Sequence, residues 1–516
     1  MNSKPTLSHL PILRGLRRQT IAAAVVALSC LVQAAAPSLA AAQNLPSLGD
    51  TEREELSPVM ERRLGEEIMR DVRRDRDYLD DAAVLEYLDG FGATLLAARP
   101  DARGEAGYDF FFFAVRDPSL NAFALPGGFI GVHSGLVLAA QSESELASVL
   151  SHEIGHVAQR HIARMLGQQR QDALLPLAGM ILAALAARSN SDASAALMLG
   201  SEGIALQRQL NFSRSAEREA DRVGLEIMKD AGFDTSGMIG FFSRMQNSTR
   251  AYTDSVPSFL RTHPLTTERI ADIQDRTRSM RYRQRADSLE FHLVRARLRL
   301  LQDGSTEGLR QAATFYEGQL ALKSRSQTIA GRYGQALLAQ KRGDIEVAQA
   351  LLAEARAALP QGMKPSSVLA SLAIELKLAA QQPAEAVREA AAARTQFPLS
   401  RGIAYLYADA LLAADRSEEA VRFLRDQAQL YRQEPKLQQR LAKAYAAQGK
   451  LALQHMALAE SYALSGGLSA ALDQLGIARR APDASFYDQS LIDAREREWQ
   501  GRFKEEMKER RGGAGR

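Results

Sequence analysis

The feature that most constrains this chain is the motif His152-Glu153-Ile154-Gly155-His156, which lies in a run with helical periodicity. Residues four apart on an α-helix lie on one face, so both imidazoles can reach a single zinc ion. Glu153 projects beside them, where a carboxylate can take a proton from the attacking water and pass it to the departing amine. The pattern therefore indicates zinc-dependent hydrolysis of a peptide bond.

The surroundings of the motif must support this interpretation, because with 8 histidines in 516 residues a chance match is expected in about one chain in a hundred. Ser142 and Glu145 form a capping box at the start of the run. An apolar stripe at helical spacing follows, at Leu146, Val149, Leu150 and Val157. The motif is therefore predicted to lie within a helix. The alternative is two solvated histidines on a surface helix.

A zinc peptidase built on two histidines needs a third protein ligand. Residues 214–224 have a helical pattern that places Glu217 and Asp221 one turn apart on the same face. Glu217 is the candidate ligand, and Asp221 could accept a hydrogen bond from a ligand imidazole. Glu219 points off that face and is predicted to be solvated. His161 is predicted to be a solvated or core histidine, because the spacing used by a nearby third histidine ligand is absent.

Residues 1–42 have the composition of a secretory signal peptide, with four basic residues, an apolar run over 21–32 and small residues before two possible cleavage points, after Ala40 or Ala42. The apolar run is short for a membrane span. Cys30 lacks the larger aliphatic residue that lipoprotein signals carry three positions earlier, so lipidation is disfavoured. We expect an exported, periplasmic mature chain.

Removal of this segment changes the charge balance. The precursor has 65 basic and 61 acidic residues, and the segment carries four of the basic ones and no acidic one, so 61 of each sign remain. The charge of the mature chain therefore gives no support for nucleic acid binding. A mature chain without cysteine needs no disulfides in an oxidising compartment, and its length suffices for two domains.

The segment between the signal peptide and the motif is predicted to contain helices and a small sheet. Residues 50–98 have a helical pattern with an acidic break at Asp80-Asp81, and runs of strand length follow at 108–115, 121–125 and 129–132. We expect an antiparallel sheet that leads into the motif helix. An edge strand beside a zinc site can accept an extended peptide as an additional strand, whereas the alternative is a core hairpin.

Residues 173–187 are mostly apolar. A helix of this length reaches about 22 Å, short of the roughly 30 Å of a bilayer core, so no transmembrane span is predicted in the mature chain. The segment is predicted to be a buried helix, and the alternative is a mobile apolar flap that contacts a membrane surface or unfolded substrate.

The region from residue 288 is rich in alanine and leucine and has a repeating pattern. Turn residues at Gln381, Asp415 and Gly449 are 34 residues apart. This period is typical of tetratricopeptide-like helix pairs that stack into a solenoid. The last residues, 501–516, are charged and then glycine-rich, and are predicted to be disordered.

The predicted fold is therefore mostly α. A zincin-type α+β peptidase domain with a small sheet is expected over residues 43–285, followed by an α-solenoid of tetratricopeptide-like repeats over 286–500.

The motifs together resemble the periplasmic gluzincin zinc metallopeptidases that carry carboxy-terminal tetratricopeptide repeats, metallopeptidase family forty-eight. The resemblance spans nearly all of the mature chain and is carried by Asn-Ala-Phe-Ala-Leu-Pro-Gly-Gly at 121–128, the motif at 152–156, Glu217-x-x-x-Asp221 and Thr262-His263-Pro264. It implies that His152, His156 and Glu217 bind one Zn²⁺ per chain, with Glu153 as the catalytic base.

The resemblance also implies that the strand containing Asn121, Ala122, Phe123 and Ala124 lines the substrate cleft. It further implies that His263 approaches the zinc as a regulatory ligand. An oxyanion-stabilising role for His263 and simple packing are the alternatives.

Members of that family degrade misassembled outer-membrane proteins and assist the assembly of correct ones, with the repeats binding the barrel assembly machinery. We therefore predict a periplasmic zinc metalloendopeptidase in envelope protein quality control, with unfolded or misassembled envelope proteins as substrates. The alternative is a chaperone or adaptor that acts through its repeats and has a residual peptidase site.

Overall fold

The computed structural model describes residues 56–104, 107–167, 214–251 and 258–514. The predicted signal peptide and the apolar segment at 173–187 lie outside these residues. These described residues belong to one compact unit. Within the described part of the chain, none of the helices combines the length and the apolar character needed to cross a membrane.

Two α-helices precede the sheet among the described residues, α1 (Pro58–Val72) and α2 (Ala82–Ala98). Each begins at a side chain that accepts a hydrogen bond from the first turn: the Ser57 hydroxyl accepts from the Met60 amide, and the Asp81 carboxylate accepts from the Val84 amide. The predicted acidic break therefore lies between the two helices and supplies the cap of the second one.

The sheet has three short strands, β1 (Phe111–Val115), β2 (Ala122–Leu125) and β3 (Phe129–His133), in the order β1-β3-β2. β2 pairs antiparallel with β3, but β1 pairs parallel with β3, so the expectation of an antiparallel sheet is wrong for β1. Only the β2–β3 connection is a tight turn, through Gly127 and Gly128 at φ of 76° and 91°. The longer connection after β1 leaves room for β3 to lie between the other two strands.

Seven helices follow the sheet in those residues of the peptidase part that the structure describes: α3 (Ser134–Ala139), α4 (Glu143–Ala158), α5 (His161–Gly167), α6 (Arg214–Asp230), α7 (Ser236–Ala251), α8 (Ser258–Thr262) and α9 (Thr267–Arg278). Helix α4 carries the motif and is buried from Glu143 to Val157. The Ser142 hydroxyl accepts a hydrogen bond from the Glu145 amide, while the Glu145 carboxylate pairs with Arg244 instead of closing the box.

Helix α4 packs closely against α6, and glycine allows this approach. A Cβ atom on Gly155 would lie 2.9 Å from the carbonyl oxygen of Ala220, and a Cβ atom on Gly224 would lie 3.0 Å from the backbone nitrogen of His152. The two backbones can therefore meet near the motif, which brings the side chains of α6 within reach of the histidines.

Replacing Gly155 by alanine should force the two helices apart, because the obstacle is a backbone oxygen that cannot rotate away. We expect the free energy of unfolding to fall by about 1–3 kcal/mol in urea denaturation. The matched control is Gly90→Ala in α2, where nothing lies within 4 Å of the added atom, so stability should rise by up to about 1 kcal/mol. Equal effects of the two substitutions would contradict this account of the helix contact.

The remaining residues form a solenoid of twelve helices within the described part of the chain. They are α10 (Leu289–Gln302), α11 (Thr306–Ala321), α12 (Arg325–Arg342), α13 (Ile345–Ala357), α14 (Ser367–Ala379), α15 (Pro383–Gln396), α16 (Arg401–Ala413), α17 (Ser417–Leu430), α18 (Pro435–Ala447), α19 (Leu451–Leu464), α20 (Leu468–Arg479) and α21 (Phe486–Ala514). Helix α21 extends to Ala514, into the range 501–516 for which the sequence predicts disorder, and that disorder stays a prediction. The charged residues there continue the helix that precedes them.

Helix α10 takes part in two hydrophobic cores. Phe291, Val294 and Leu298 lie in the core of the peptidase part, whereas Leu289 and Leu293 lie in the core of the first repeats. The boundary between residues 285 and 286 stays a prediction, and this shared helix lies immediately after it.

Ion pairs also join the solenoid to the amino-terminal helices. Arg297 on α10 reaches Asp81 at 2.8 Å, and Arg401 on α16 reaches Asp89 at 2.9 Å. The Arg74 guanidinium, which follows α1, donates to the Ser465 carbonyl at 2.9 Å. The repeats therefore contact the peptidase part at several points along its amino-terminal helices.

Candidate metal centre

Four buried side chains converge between α4 and α6: His152, His156, Glu217 and His263. One nitrogen or carboxylate oxygen from each lies within 4.8 Å of the corresponding atoms of the others. Imidazole nitrogen and carboxylate oxygen are the donors that zinc takes in peptidases built on two histidines and a glutamate. The donor set of this chain therefore fits a single zinc ion.

The two motif histidines present the same ring nitrogen to the centre. Their Nε2 atoms lie 3.0 Å apart, and each is 3.4 to 3.5 Å from a carboxylate oxygen of Glu217. Their Nδ1 atoms consequently point outward. The structure places Asp221 behind His152, with Oδ1 3.0 Å from Nδ1, as the sequence pattern predicts.

Electrostatics within the centre follow from these contacts. Burial opposes a positive charge on His152, but the carboxylates of Asp221 and Glu217 outweigh it and raise the pKa of His152 to about 9. Burial alone would raise the pKa of Glu217, but His263 and His152 beside it hold that pKa well below its ordinary value. Glu217 is therefore ionised, as a metal ligand must be.

Glu153 is fully buried beside this cluster. Neither of its carboxylate oxygens has a hydrogen-bond partner among the described residues, and the nearest ring nitrogen of His263 is 3.5 Å away. A buried carboxylate without a hydrogen bond is energetically costly. The structure therefore keeps an acceptor free next to the ligands.

Arg269, on α9, is a residue of this centre that the sequence patterns do not reveal. Its Nε and Nη2 atoms donate to the two oxygens of Asp221 at 2.6 and 2.7 Å, and Nη1 lies 2.7 Å from Glu217. The side chain is 3% exposed. Arg269 thus pairs with the carboxylates of both Asp221 and Glu217. The only local signal is a single basic residue just before the apolar Ile270.

His161 is buried, which agrees with the expectation of a core histidine, but it and Glu219 make contacts that the sequence does not predict. The Nδ1 atom of His161 lies 2.8 Å from Nδ1 of His156, and its Nε2 lies 3.0 Å from Glu219. Glu219 lies outside the metal-ligand cluster and is partly solvated, with its side chain 30% exposed, but it also pairs with His161 and with Arg164. The reversal of the chain between α4 and α5, which brings His161 back toward the motif, cannot be read from residue spacing.

His263 lies directly after α8 and reaches the cluster through Nδ1, which is 3.0 Å from Glu217 and 3.3 Å from Nε2 of His152. Its ring stacks on Phe259 with a centroid distance of 4.6 Å. The Phe259 amide donates to the carbonyl of Leu120, immediately before β2, at 3.3 Å. The loop of His263 is thus attached to the start of this strand.

The predicted substrate strand corresponds to β2, which pairs with β3 along one edge only within the described sheet. Asn121 and Ala122 are buried, and the Asn121 side-chain oxygen has no hydrogen-bond partner among the described residues. Phe123 and Ala124 are half-buried and pack with the cluster of α1.

Comparison with known proteins places the centre in a family. The model of peptidase family M48 matches residues 94–277 of the chain, a range that contains α4, α6 and His263. Residues 94–277 are a peptidase family M48 domain. The clustered donors lie within the residues that match this family. The chain is therefore a zinc-dependent metallopeptidase with one metal site.

Several curated proteins are similar to this chain. The putative beta-barrel assembly-enhancing protease of Vibrio cholerae is 41% identical over 279 residues, which cover 52% of this chain and 56% of that protein. The beta-barrel assembly-enhancing protease of Escherichia coli K12 is 29% identical over 498 residues, covering 95% of this chain and 99% of that protein. The mitochondrial metalloendopeptidase OMA1 of Schizosaccharomyces pombe is 33% identical over 161 residues, covering 31% and 44%.

Proposed function

We propose that the chain is an exported zinc endopeptidase of the periplasm that acts on unfolded or misassembled envelope proteins. In this proposal His152, His156 and Glu217 hold the metal, and Glu153 transfers the proton. The observation that carries the proposal is the buried convergence of these three donors beside the Glu153 carboxylate, which accepts no hydrogen bond from the described residues.

The residues divide the reaction between them. A zinc ion, when bound, supplies Lewis-acid chemistry that polarises the peptide carbonyl and lowers the pKa of water. Glu153 accepts a proton from the attacking water and delivers it to the departing amine. Asp221 keeps the hydrogen of His152 on Nδ1, so that Nε2 is free to bind metal. Arg269 holds Asp221 and Glu217 in place.

The substrate proposal has two supports. The single-sided edge of β2 suits an extended peptide, which would add to the sheet as another strand. The names of the Vibrio and Escherichia relatives describe proteases that enhance β-barrel assembly. We therefore also propose that the repeats contact the barrel assembly machinery.

The rival function is a chaperone or adaptor that acts through the repeats. The complete donor set favours a working peptidase, and so does Glu153, whose carboxylate has no hydrogen bond within the described part of the chain. Two measurements with Glu153→Gln in the full chain separate the proposals. The variant should trap envelope proteins that can be identified by sequencing, and it should fail to restore the phenotype of a deletion strain. Full restoration by the variant would support the adaptor instead.

We further propose that His263 closes the resting site. Its Nδ1 atom lies among the other three donors, where it would complete the ligand set at the position that water needs. The loop that carries it is attached to the start of β2 through Phe259 and Leu120. Opening the loop would therefore release both the fourth ligand position and the beginning of the substrate strand.

Replacing His263 by alanine should raise the rate of proteolysis, including self-cleavage, because the fourth position becomes open to water. The measurement is hydrolysis of an unfolded protein substrate at equal zinc content, with His455→Ala in the repeats as the control. A fall of about a hundredfold or more would instead indicate that His263 stabilises the oxyanion. An unchanged rate with unchanged X-ray absorption at the zinc edge would leave only a packing role.

A further inference from the structure

A chain of two hydrogen bonds links His156 to a carboxylate on α6 through the imidazole of His161. We propose that His161 and Glu219 are positioning residues that fix the orientation and the tautomer of His156. This inference rests on the proposed role of His156 as a metal ligand. Neither residue touches the reacting atoms.

The geometry fixes where each hydrogen lies. His156 presents Nε2 to the centre, 3.0 Å from Nε2 of His152, so its hydrogen is on Nδ1. That N–H faces Nδ1 of His161 at 2.8 Å, which must therefore act as the acceptor. His161 then carries its own hydrogen on Nε2 and donates it to Glu219 at 3.0 Å. In this arrangement both imidazole rings are neutral, and each N–H group in this series of two hydrogen bonds meets an acceptor.

The two motif histidines are thus supported in different ways. Asp221 contacts His152 directly and is 2% exposed, whereas Glu219 has a side chain that is 30% exposed and reaches His156 only through His161. Both carboxylates come from α6, but they lie on different faces of it. One helix therefore supplies a ligand, Glu217, and the support for both histidines.

The placement of His161 is built into the end of the motif helix. Arg160 has a φ of 51°, a left-handed conformation that is uncommon outside glycine, and it lies in the turn between α4 and α5, which begins at His161. Its guanidinium donates to Glu61 at 2.6 and 2.9 Å and to the Leu56 carbonyl at 2.6 Å. The Tyr108 hydroxyl donates to the same Glu61 carboxylate at 2.7 Å. The turn is therefore held from α1 and from the segment before β1.

The test is zinc affinity, measured by competition with a chelator on the full chain, which is a readout independent of catalysis. His161→Phe keeps the volume of the ring and removes both nitrogens, so affinity should fall by about 10- to 100-fold. Glu219→Gln keeps the shape and removes the charge, so affinity should fall in the same direction by a smaller factor. The matched control is Glu226→Gln on the same helix, whose carboxylate pairs with Arg99 and Lys229 and should not affect affinity.

Two further variants keep the test decisive. His161→Asn retains an acceptor near the position of Nδ1 and should bind zinc more tightly than His161→Phe. If His161→Phe does not fold by circular dichroism, then Glu219→Gln and His161→Asn carry the comparison. Wild-type affinity in the folded variants of His161 and Glu219 would overturn the proposal.

The outcome is distinguishable from a failure of the proposed function. If Glu217→Ala loses zinc while His161→Phe binds it as tightly as the wild type, only the positioning role fails. If Glu217→Ala keeps zinc, the proposed ligand set itself fails, whatever the variants of His161 show.

Discussion

Replacing Glu153 by glutamine is expected to lower kcat/KM on an unfolded protein substrate by about 10²- to 10⁴-fold while leaving about one zinc per chain. The amide of glutamine cannot accept and return the proton, although it fills nearly the same space. Because Glu153 lies beside the donor cluster without belonging to it, metal binding should survive. Zinc content by plasma spectrometry and steady-state kinetics provide the two measurements.

The matched variant is Glu217→Ala, which removes one of the clustered donors and should lose zinc together with activity. The comparison separates proton transfer from metal binding within one buried site. Loss of zinc in Glu153→Gln, or retention of activity in a zinc-loaded sample of it, would contradict the assignment.

Replacing Arg269 by methionine is expected to lower the free energy of unfolding by about 3–5 kcal/mol, because it removes the buried guanidinium that pairs with the carboxylates of both Asp221 and Glu217. The loss should be larger in metal-free protein, since a bound cation near Glu217 compensates part of the charge. Urea denaturation with and without zinc measures both values.

Two controls belong to this experiment. Arg276→Met, on the same helix, breaks an exposed pair with Asp272 whose arginine is 43% exposed, and should cost no more than about 1 kcal/mol. Adding Asp221→Asn to Arg269→Met removes one of the stranded charges and should recover part of the loss. A cost for Arg269→Met equal to that of Arg276→Met would show that the buried network does not stabilise the fold.

The sequence could predict contacts that depend on geometry within one helix. His152 and His156 are four residues apart, as are Glu217 and Asp221, so each pair must share a face whatever the rest of the chain does. Because zinc needs a third protein ligand, the sequence also predicts that the helix of Glu217 lies beside the helix of the two histidines. These residues are the ones that the structure brings together around the centre.

Contacts that depend on how elements meet could not be predicted in this way. Arg269 reaches α6 because of the direction that α9 takes after the His263 loop. His161 reaches His156 because Arg160, between the two, takes a left-handed conformation. Neither the direction of α9 nor the conformation of Arg160 produces a periodic pattern in the sequence. The sheet shows the same limit: the tight turn before β3 predicts an antiparallel pair, but nothing local indicates that β1 lies parallel to β3.

The repeats illustrate a further limit. A period of 34 residues predicts helix pairs and their turns, because each unit repeats the same local amphipathic pattern. The repeat pattern does not indicate which hydrophobic core the apolar face of each helix packs into. Helix α10 has one face in the peptidase core, through Phe291, and another in the first repeats, through Leu293.

The most direct test of the account is the position of the metal, located by anomalous diffraction at the zinc edge in crystals of the zinc-loaded protein. The account predicts one peak per chain, about 2.0–2.1 Å from Nε2 of His152 and of His156 and about 2.0–2.2 Å from a carboxylate oxygen of Glu217, with no contact to Glu153. A peak bound by Glu153, a peak bound through Nδ1 of either motif histidine, or no peak between α4 and α6 would contradict it.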